Sequence, residues 1–159
     1  MSTSSRPALK DDYAVIASWI SSAEACSRWA GPALAYPFKP ADLSTLLAKP
    51  QSQEMVLLDA DQNVVGYAQF WPRDEQRVHL GRIIVSPATR GLGYGRQLCE
   101  QLMQQAIAET GLPVISLRVY RDNPGALHLY QQLGFTEVGA DSNEEVLAME
   151  YKVRKSLVT

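Results

Sequence analysis

The segment Arg90–Arg96, RGLGYGR, constrains the fold of this chain more than any other stretch. It joins RIIVSP, which is typical of a strand, to QLCEQLMQQAIAE, which is typical of an amphipathic helix. Because glycine lacks a Cβ, the backbone here can turn sharply and can approach a ligand closely. A helix beginning at this point presents unpaired N–H groups and the positive end of its dipole. The segment therefore predicts a strand–turn–helix unit with an anion site suited to a diphosphate.

Arginine side chains at both ends of the segment would add positive charge to this site. The guanidinium groups of Arg90 and Arg96 suit phosphate through their planar donor fork. Two common phosphate-binding patterns do not fit. A P-loop needs Lys and then Ser or Thr where Arg96 and Gln97 follow Gly95, and GxGxxG needs glycine where Arg96 or Leu98 stands. From these residues alone, a glycine-rich turn that simply starts a helix stays open as an alternative.

Composition narrows the class of protein. The 159 residues are 46% hydrophobic, which suits a single domain over residues 6–159 after a disordered, polar segment at 1–5. The net charge of -2 lacks the basic excess of a nucleic-acid-binding protein. The sequence shows neither a membrane span nor a secretory signal, so we expect a cytoplasmic protein with no membrane partner. Two cysteines, Cys26 and Cys99, are too few for a disulfide framework and are expected to be free thiols.

Hydrophobic periodicity predicts hairpin strands first and strand–helix–strand units later. We expect a short strand near Ala8–Leu9, two strands around a turn at 61–63, a strand ended by Pro87, a helix over 93–110, a strand from Val114 to Tyr120, a short helix ending at Gly134, and two closing strands. Further helical stretches precede the first hairpin. This order favours an α/β (α+β) fold, with a mixed, mostly antiparallel central sheet of about seven strands and about four flanking helices.

Two stretches of the chain resemble the signatures of the GNAT family of N-acetyltransferases. VSPATRGLGYGRQL resembles the acyl-coenzyme-A signature Q/R-x-x-G-x-G/A, with Arg90, Gly93 and Gly95 at its fixed positions. RVYRDNPGALHLYQQLGFTEVG resembles the family's strand, Asn, Tyr-bearing helix and Gly-Phe. The resemblance runs from about Pro7 to Val153. It implies the acyl-CoA N-acyltransferase fold, acetyl-CoA as cosubstrate and no metal ion.

The resemblance also implies roles for individual residues. The CoA diphosphate would bind the glycine segment, the pantetheine arm would pair with the main chain at Ile83 and Val85, and Asn123 would contact that arm or its phosphate end. Such pairing requires the strand Val114 to Tyr120 to splay away. Tyr130 would protonate the CoA thiolate; its place on an apolar helix stripe leaves a core residue as the alternative, and the second signature favours the acid. The diphosphate-binding residues would be Arg90, Gly91, Leu92, Gly93, Tyr94, Gly95 and Arg96.

His79 is the candidate general base. In one branch of the family a glutamate lies six residues before the strand-ending valine, and His79 occupies that position relative to Val85. Imidazole titrates near neutral pH, so the residue type suits a base. Strand alternation would place His79, Gly81, Ile83 and Val85 on one face, with Gly81 leaving room for an acceptor and Arg82 on the opposite face. A surface histidine at the end of the sheet is the alternative.

These observations together predict an acetyl-CoA-dependent N-acetyltransferase that moves an acetyl group to a primary amine by direct attack in a ternary complex. The acceptor would be a small-molecule amine or a peptide or protein amine, near the aromatic segment CSRWAGPALAYPF and the acidic loop GADSNEE. A non-catalytic CoA-binding sensor and a binder of another diphosphate nucleotide are the alternatives. A homodimer is expected on general grounds.

Overall fold

A computed structural model describes residues 2–154 of the chain. Seven strands form one sheet in the order β1-β2-β3-β4-β5-β7-β6. Its strands are β1 (Ser4–Pro7), β2 (Gln53–Leu58), β3 (Val64–Pro72), β4 (Arg77–Val85), β5 (Val114–Tyr120), β6 (Thr136–Glu137) and β7 (Val146–Lys152). β4 and β5 pair in parallel, and the other neighbouring strands of the sheet are antiparallel. The predicted mixed, mostly antiparallel sheet is confirmed.

Helices cover both faces of the sheet. They are α1 (Asp12–Ala17), α2 (Ala23–Ala30), α3 (Leu43–Leu46), α4 (Tyr94–Thr110) and α5 (Pro124–Gln132). One core joins α4 and α5 to the sheet, and Leu98, Leu102 and Ala106 are fully buried there because four-residue spacing places them on one helix face. The other core joins α1, α2 and α3 to the opposite face. Cys26 and Cys99 are free, buried thiols in these two separate cores.

The first strand lies upstream of the position predicted at Ala8–Leu9. β1 includes residues 4 and 5, which were expected to be disordered, and it pairs with β2 at the sheet edge. An edge strand is held through its backbone, so it needs no apolar pattern that a sequence would reveal. Arg6 fastens it to α1 through two hydrogen bonds to the carboxylate of Asp12, at 2.6 and 3.1 Å. None of the helices in residues 2–154 has the length and hydropathy of a membrane span.

β4 and β5 separate soon after they meet. Their pairing covers Arg77–His79 opposite Val114–Ser116 and goes no further. From Leu80 to Val85, the β4 edge that faces β5 therefore has no strand partner within the described chain. The splayed neighbour that the family resemblance requires is present.

A bulge interrupts β4 at Arg82. The register with β3 passes from Gln69 opposite Gly81 to Tyr67 opposite Ile84, so β4 contains one extra residue. Arg82 lies in this bulge, and its φ of 52° is in the left-handed region. The indole N–H of Trp29 donates a hydrogen bond of 2.8 Å to the carbonyl oxygen of Arg82 and holds the bulge in place.

The bulge reverses the alternation of side chains along β4. Val78 and Leu80, before the bulge, pack in the same core as Ile83 and Val85, after it. His79 and Gly81 therefore lie on the opposite face from Ile83 and Val85, and the prediction that these four share one face is wrong. The extra residue is the physical reason, since strand alternation holds only while pairing is regular.

Arg82 lies on the same side of the sheet as His79, so the prediction that it faces the opposite side is also wrong. The ring of Trp71 shows this placement. Its centroid lies 5.3 Å from the His79 ring and 5.9 Å from the Cζ of Arg82. The bulge again accounts for the difference. Strict alternation would place Arg82 on the face opposite His79, and the bulge turns it to the face of His79 and Trp71.

Candidate active site

The glycine segment connects β4 to α4 through two residues in the left-handed region. Gly91 has a φ of 83°, and Gly93, the N-cap residue of α4, has a φ of 86°. No side chain caps this helix. The helical hydrogen bonds of α4 begin with the N–H of Gln97, which donates to the carbonyl of Gly93 at 3.3 Å. The amides before Gln97 in the first turn therefore have no partner within the helix. This is the uncapped, glycine-rich helix start that the sequence predicted as an anion site.

The three glycines of the segment meet different requirements. Positions 91 and 93 both favour glycine because their backbone lies in the left-handed region. Gly91 had no assigned position in the family signature. Gly95 has an ordinary φ, and a Cβ there would lie 3.8 Å from side-chain carbons of Val85 and Leu129, an ordinary contact. Nothing in the described protein therefore requires glycine at position 95.

The two arginines of the segment differ in their partners. Arg96 lies 3.1 Å from Glu100 one helical turn along α4, so part of its charge is already compensated. Arg90 is exposed and has no ion pair within the described residues. Leu92 is 52% exposed at the tip of the loop. Arg90 is thus the more available of the two cations for a bound anion.

A cavity of about 600 Å³ extends from this loop along the unpaired edge of β4. Four of the predicted cosubstrate-binding residues line it: Ile83, Val85, Arg90 and Asn123. Trp19, which follows α1, and Trp29, in α2, line it as well. The structure thereby brings together four predicted residues that are up to 40 positions apart in the sequence (83 to 123).

Asn123 and Tyr130 connect α5 to the cleft between β4 and β5. Asn123 is the N-cap of α5, and its side-chain oxygen accepts the N–H of Ala126 at 3.3 Å, so its amide NH₂ is left for a ligand. The ring of Tyr130 packs edge-on against Phe135, with centroids 6.0 Å apart. Tyr130 also lines a narrow cavity beside Ile83. Burial raises its pKa, so the phenol is protonated at neutral pH. Tyr130 is therefore both a residue of the core and a side chain that lines the cleft.

His79 lies where β4 and β5 part. Its Nδ1 is 2.8 Å from the hydroxyl of Ser116, a buried residue of β5, and this contact fixes the ring. The pKa of His79 is lowered to about 4, chiefly by burial and then by the charges of Arg73, Lys49 and Arg118. The imidazole is neutral at pH 7 and has little affinity for a proton. His79 is not a surface residue, since it is only partly exposed in a cavity wall.

Trp71 occupies the space that Gly81 was expected to leave for an acceptor. A Cβ at position 81 would lie 2.4 Å from Cη2 of the Trp71 indole. That prediction is therefore wrong: the absent side chain makes room for the indole. Ser116, which fixes His79, and Lys49, in the wall of the same cavity, are candidate site residues that sequence reasoning missed. Trp71 lies directly opposite His79 in the register of β3 and β4.

Only some residues of the aromatic segment and the acidic loop lie near the candidate site. Trp29 lines the cavities on both sides of the bulge, whereas Tyr36 and Phe38 pack edge-on against each other at 6.1 Å. In the loop, Asp141 lies 3.6 Å from Arg73, in an ion pair. Glu144 and Glu145 line a second cavity with Asp122, which shares Arg28 and Tyr120 with the cavity that contains His79. Among residues 2–154, no group of three His, Cys, Asp or Glu side chains is arranged to hold a metal ion.

Comparisons with known proteins agree with this geometry. The sequence model of the acetyltransferase (GNAT) family matches residues 19–135. Spermidine N(1)-acetyltransferase of Vibrio cholerae is 30% identical over 90 residues, covering 55% of this chain and 51% of that protein. N-alpha-acetyltransferase RimI of Mycobacterium tuberculosis is 37% identical over 108 residues, covering 65% of this chain and 64% of that protein. The matches thus span about half to two thirds of these relatives.

Solved structures extend the likeness of fold to nearly the whole chain. The crystal structure of spermidine N-acetyltransferase from Vibrio cholerae in complex with CoA and spermine superposes with a TM-score of 0.79. It covers 94% of this chain and 95% of that one, at 22% sequence identity. At this identity the agreement concerns the fold, and the acceptor has to be argued from this chain's own residues.

Proposed function

Because the chain belongs to the acetyltransferase (GNAT) family, we propose that it transfers an acetyl group from acetyl-CoA to a primary amine. One observation supports this most: a single cavity runs from Arg90, in the loop that leads to the uncapped start of α4, along the unpaired edge of β4. The first feature suits a diphosphate and the second suits a linear amide chain. Acetyl-CoA contains both, because its amide-bearing pantetheine arm is attached directly to its diphosphate.

The cosubstrate would bind largely through the backbone. Its diphosphate would cap α4 at the amides of residues 93–96, with Arg90 supplying charge. Its pantetheine amides would extend the sheet as an added strand along β4 from Leu80 to Val85. The amide NH₂ of Asn123 faces the same cavity and would donate to the arm. A Cβ at Gly95 would then meet the ligand, which accounts for glycine where the free protein does not need it.

The chemistry proposed is direct aminolysis of the thioester. The amine nitrogen attacks the acetyl carbonyl, the C–N bond forms, and the C–S bond breaks to release the CoA thiolate. A main-chain N–H of β4 near Val85 stabilises the oxyanion. Tyr130 donates its proton to the thiolate. The attacking nitrogen, which is cationic once the C–N bond has formed, releases a proton to solvent, and solvent returns a proton to the phenolate. Alignment of amine and thioester in one cleft supplies much of the rate.

The proton on the attacking ammonium needs a separate route. His79, with a pKa of about 4, is too weak a base to remove that proton outright. We propose that the amine loses its ammonium proton to water, and that the neutral His79 ring, fixed by Ser116, orients the amine near the thioester. This assigns His79 a positioning role in place of the strong general base that its residue type had suggested.

Acetyl-CoA binding tests the first half of the proposal. Millimolar acetyl-CoA should raise the melting temperature, by an amount set by its concentration over its dissociation constant. Gly93→Glu should abolish the shift by placing bulk and negative charge at the helix start. Gln104→Glu adds the same charge to an exposed position further along α4 and should keep the shift. A wild-type protein that shows no shift would exclude this cosubstrate.

Turnover tests the second half. A panel of primary amines would be assayed by release of free thiol from acetyl-CoA, with the acetylated product identified by mass spectrometry. Amine-dependent release is the expected result. Binding of acetyl-CoA without acceleration by any amine would favour the CoA sensor that the sequence left open. The predicted homodimer and cytoplasmic location stay predictions.

A further inference from the structure

Besides Arg28, three cationic side chains line the cavity that contains His79. Lys49 comes from the loop after α3, Arg82 from the bulge of β4, and Arg118 from β5. Lys49 lies over the indole of Trp71, with Nζ 4.2 Å from the ring centroid, and Arg82 lies 5.9 Å from the same centroid. These positive charges therefore gather around one aromatic wall.

None of the three has a carboxylate partner. Within residues 2–154, no Asp or Glu oxygen lies within 4.0 Å of a charged nitrogen of Lys49, Arg82 or Arg118. Arg82 donates instead to two neutral oxygens, the carbonyl of Leu47 at 2.7 Å and Oε1 of Gln69 at 3.1 Å. Within the same residues, the side chain of Arg118 donates one weak hydrogen bond, of 3.5 Å, to the main-chain carbonyl of Asp141.

Two neighbouring arginines, in contrast, have their charge compensated by a carboxylate. Arg28, in the same cavity wall, binds both carboxylate oxygens of Asp122 at 2.6 and 3.3 Å. Arg73 pairs with Asp141. Glu54 acts on Arg82 from beyond ion-pair distance, and burial raises the pKa of Glu54. The cavity itself contains no acidic residue in its wall.

The crowded charges act on one another and on His79. The pKa of Lys49 is lowered by burial and then by the like charge of Arg82. Unpaired cations that line one cavity give it a positive potential, which would attract an anion. A polycation would instead add to the repulsion.

Resting on the proposed transferase function, we propose that the amine acceptor carries an anionic group, a carboxylate or a phosphate. Lys49, Arg82 and Arg118 would hold the anion against the Trp71 wall. The amine would then extend past His79 into the gap between β4 and β5. The acceptor class therefore differs from the polyamine named for the Vibrio relative, although the fold is shared.

Matched acceptor pairs test the charge requirement directly. 4-Aminobutyrate and butylamine share a primary amine of nearly equal basicity and differ in the carboxylate, and O-phosphoethanolamine and ethanolamine make the corresponding phosphate pair. At low salt, kcat/KM for the anionic member of at least one pair should exceed that of its neutral partner about tenfold or more, the effect of a charge-assisted contact. The preferred pair identifies the anion. Raising salt should shrink the ratio, because salt screens the attraction.

Neutralising variants locate the effect. Lys49→Gln and Arg118→Gln change exposed side chains and should each raise KM for the preferred anionic acceptor about tenfold, with kcat little changed and the neutral partner unaffected. Lys10→Gln removes one charge from an exposed site outside the cavity and serves as the matched control. Arg82 is left unchanged because its guanidinium also supports Leu47 and Gln69.

The outcomes separate this inference from the function on which it rests. If neutral amines or spermidine react as fast as the anionic acceptors, or if the cavity variants behave like Lys10→Gln, the anionic acceptor is refuted and the transferase stands. If no amine releases thiol although acetyl-CoA raises the melting temperature, the transferase itself fails and the inference falls with it.

Discussion

Replacing Gly93 by alanine should weaken both the fold and cosubstrate binding, for a reason that lies in the backbone alone. Gly93 has a φ of 86° and a ψ of 5°, and a Cβ built there meets nothing within 4 Å. Steric overlap with neighbours therefore contributes nothing. The left-handed conformation itself costs an alanine about 1–2 kcal/mol, and we expect the free energy of unfolding to fall by about 1 kcal/mol, because an exposed loop relaxes in part.

Relaxation of the loop would also cost affinity. If the substituted alanine left the left-handed region, the first-turn amides would no longer converge, and restoring them on binding would cost about 1 kcal/mol, roughly a fivefold to tenfold increase in Kd for acetyl-CoA. Unfolding in urea gives the change in stability, and isothermal titration gives Kd.

Two companion variants separate conformation from ligand contact. Gly93→Asn should lose less stability than Gly93→Ala, since asparagine tolerates the left-handed region. Gly95→Ala should keep full stability, because the φ of Gly95 is ordinary, yet should lose affinity if the ligand approaches that backbone. Equal stability of Gly93→Ala and the wild type, with no advantage for Gly93→Asn, would refute the conformational argument.

The remaining expectations concern the acid, the histidine and the bulge. Tyr130→Phe should leave the Kd for acetyl-CoA unchanged and lower kcat about 10²-fold or more; an unchanged kcat with a good acceptor would exclude the proton donation. Because the folded-state pKa of His79 is about 4, below the usual value of 6.5, the unfolded state takes up the proton first, and the wild type should lose up to about 3 kcal/mol relative to His79→Asn as pH falls from about 6.5 to 4. Stability curves of the two proteins that stay parallel over this range would contradict the buried, neutral ring. Trp29→Phe removes the donor to the Arg82 carbonyl and should cost about 1 kcal/mol of unfolding free energy, together with acetyl-CoA affinity; unaltered binding by this variant would show that the bulge holds without the indole.

Local patterns in the chain predicted most elements of the fold. The strand from Val114 to Tyr120 has its predicted bounds, and α4 covers Tyr94–Thr110 against a predicted 93–110. Apolar periodicity and the stops at Pro87 and Gly111 suffice for such elements, because their causes are local. β1 was misplaced because an edge strand is held by backbone pairing and Arg6, neither of which leaves a hydrophobic period.

The anion site was equally accessible to sequence reasoning, because its cause lies within seven consecutive residues. A run of glycines between a strand and a helix fixes where unpaired N–H groups will converge, whatever the rest of the chain does. The family signatures then connected Asn123 and Tyr130 to the same cleft, and the structure places both in cavity walls that also contain Ile83.

The acceptor side was decided only by tertiary structure. One extra residue in β4 moved His79 to the face opposite Ile83 and turned Arg82 to the side of Trp71, and no composition or period marks a bulge held by Trp29 from another element. The sequence by itself determined the glycine-rich, uncapped helix start that we propose for a diphosphate, since backbone groups close in sequence make it. The charge of the cavity proposed for the acceptor depends on side chains from three distant segments, and such an electrostatic environment exists only once the chain has folded.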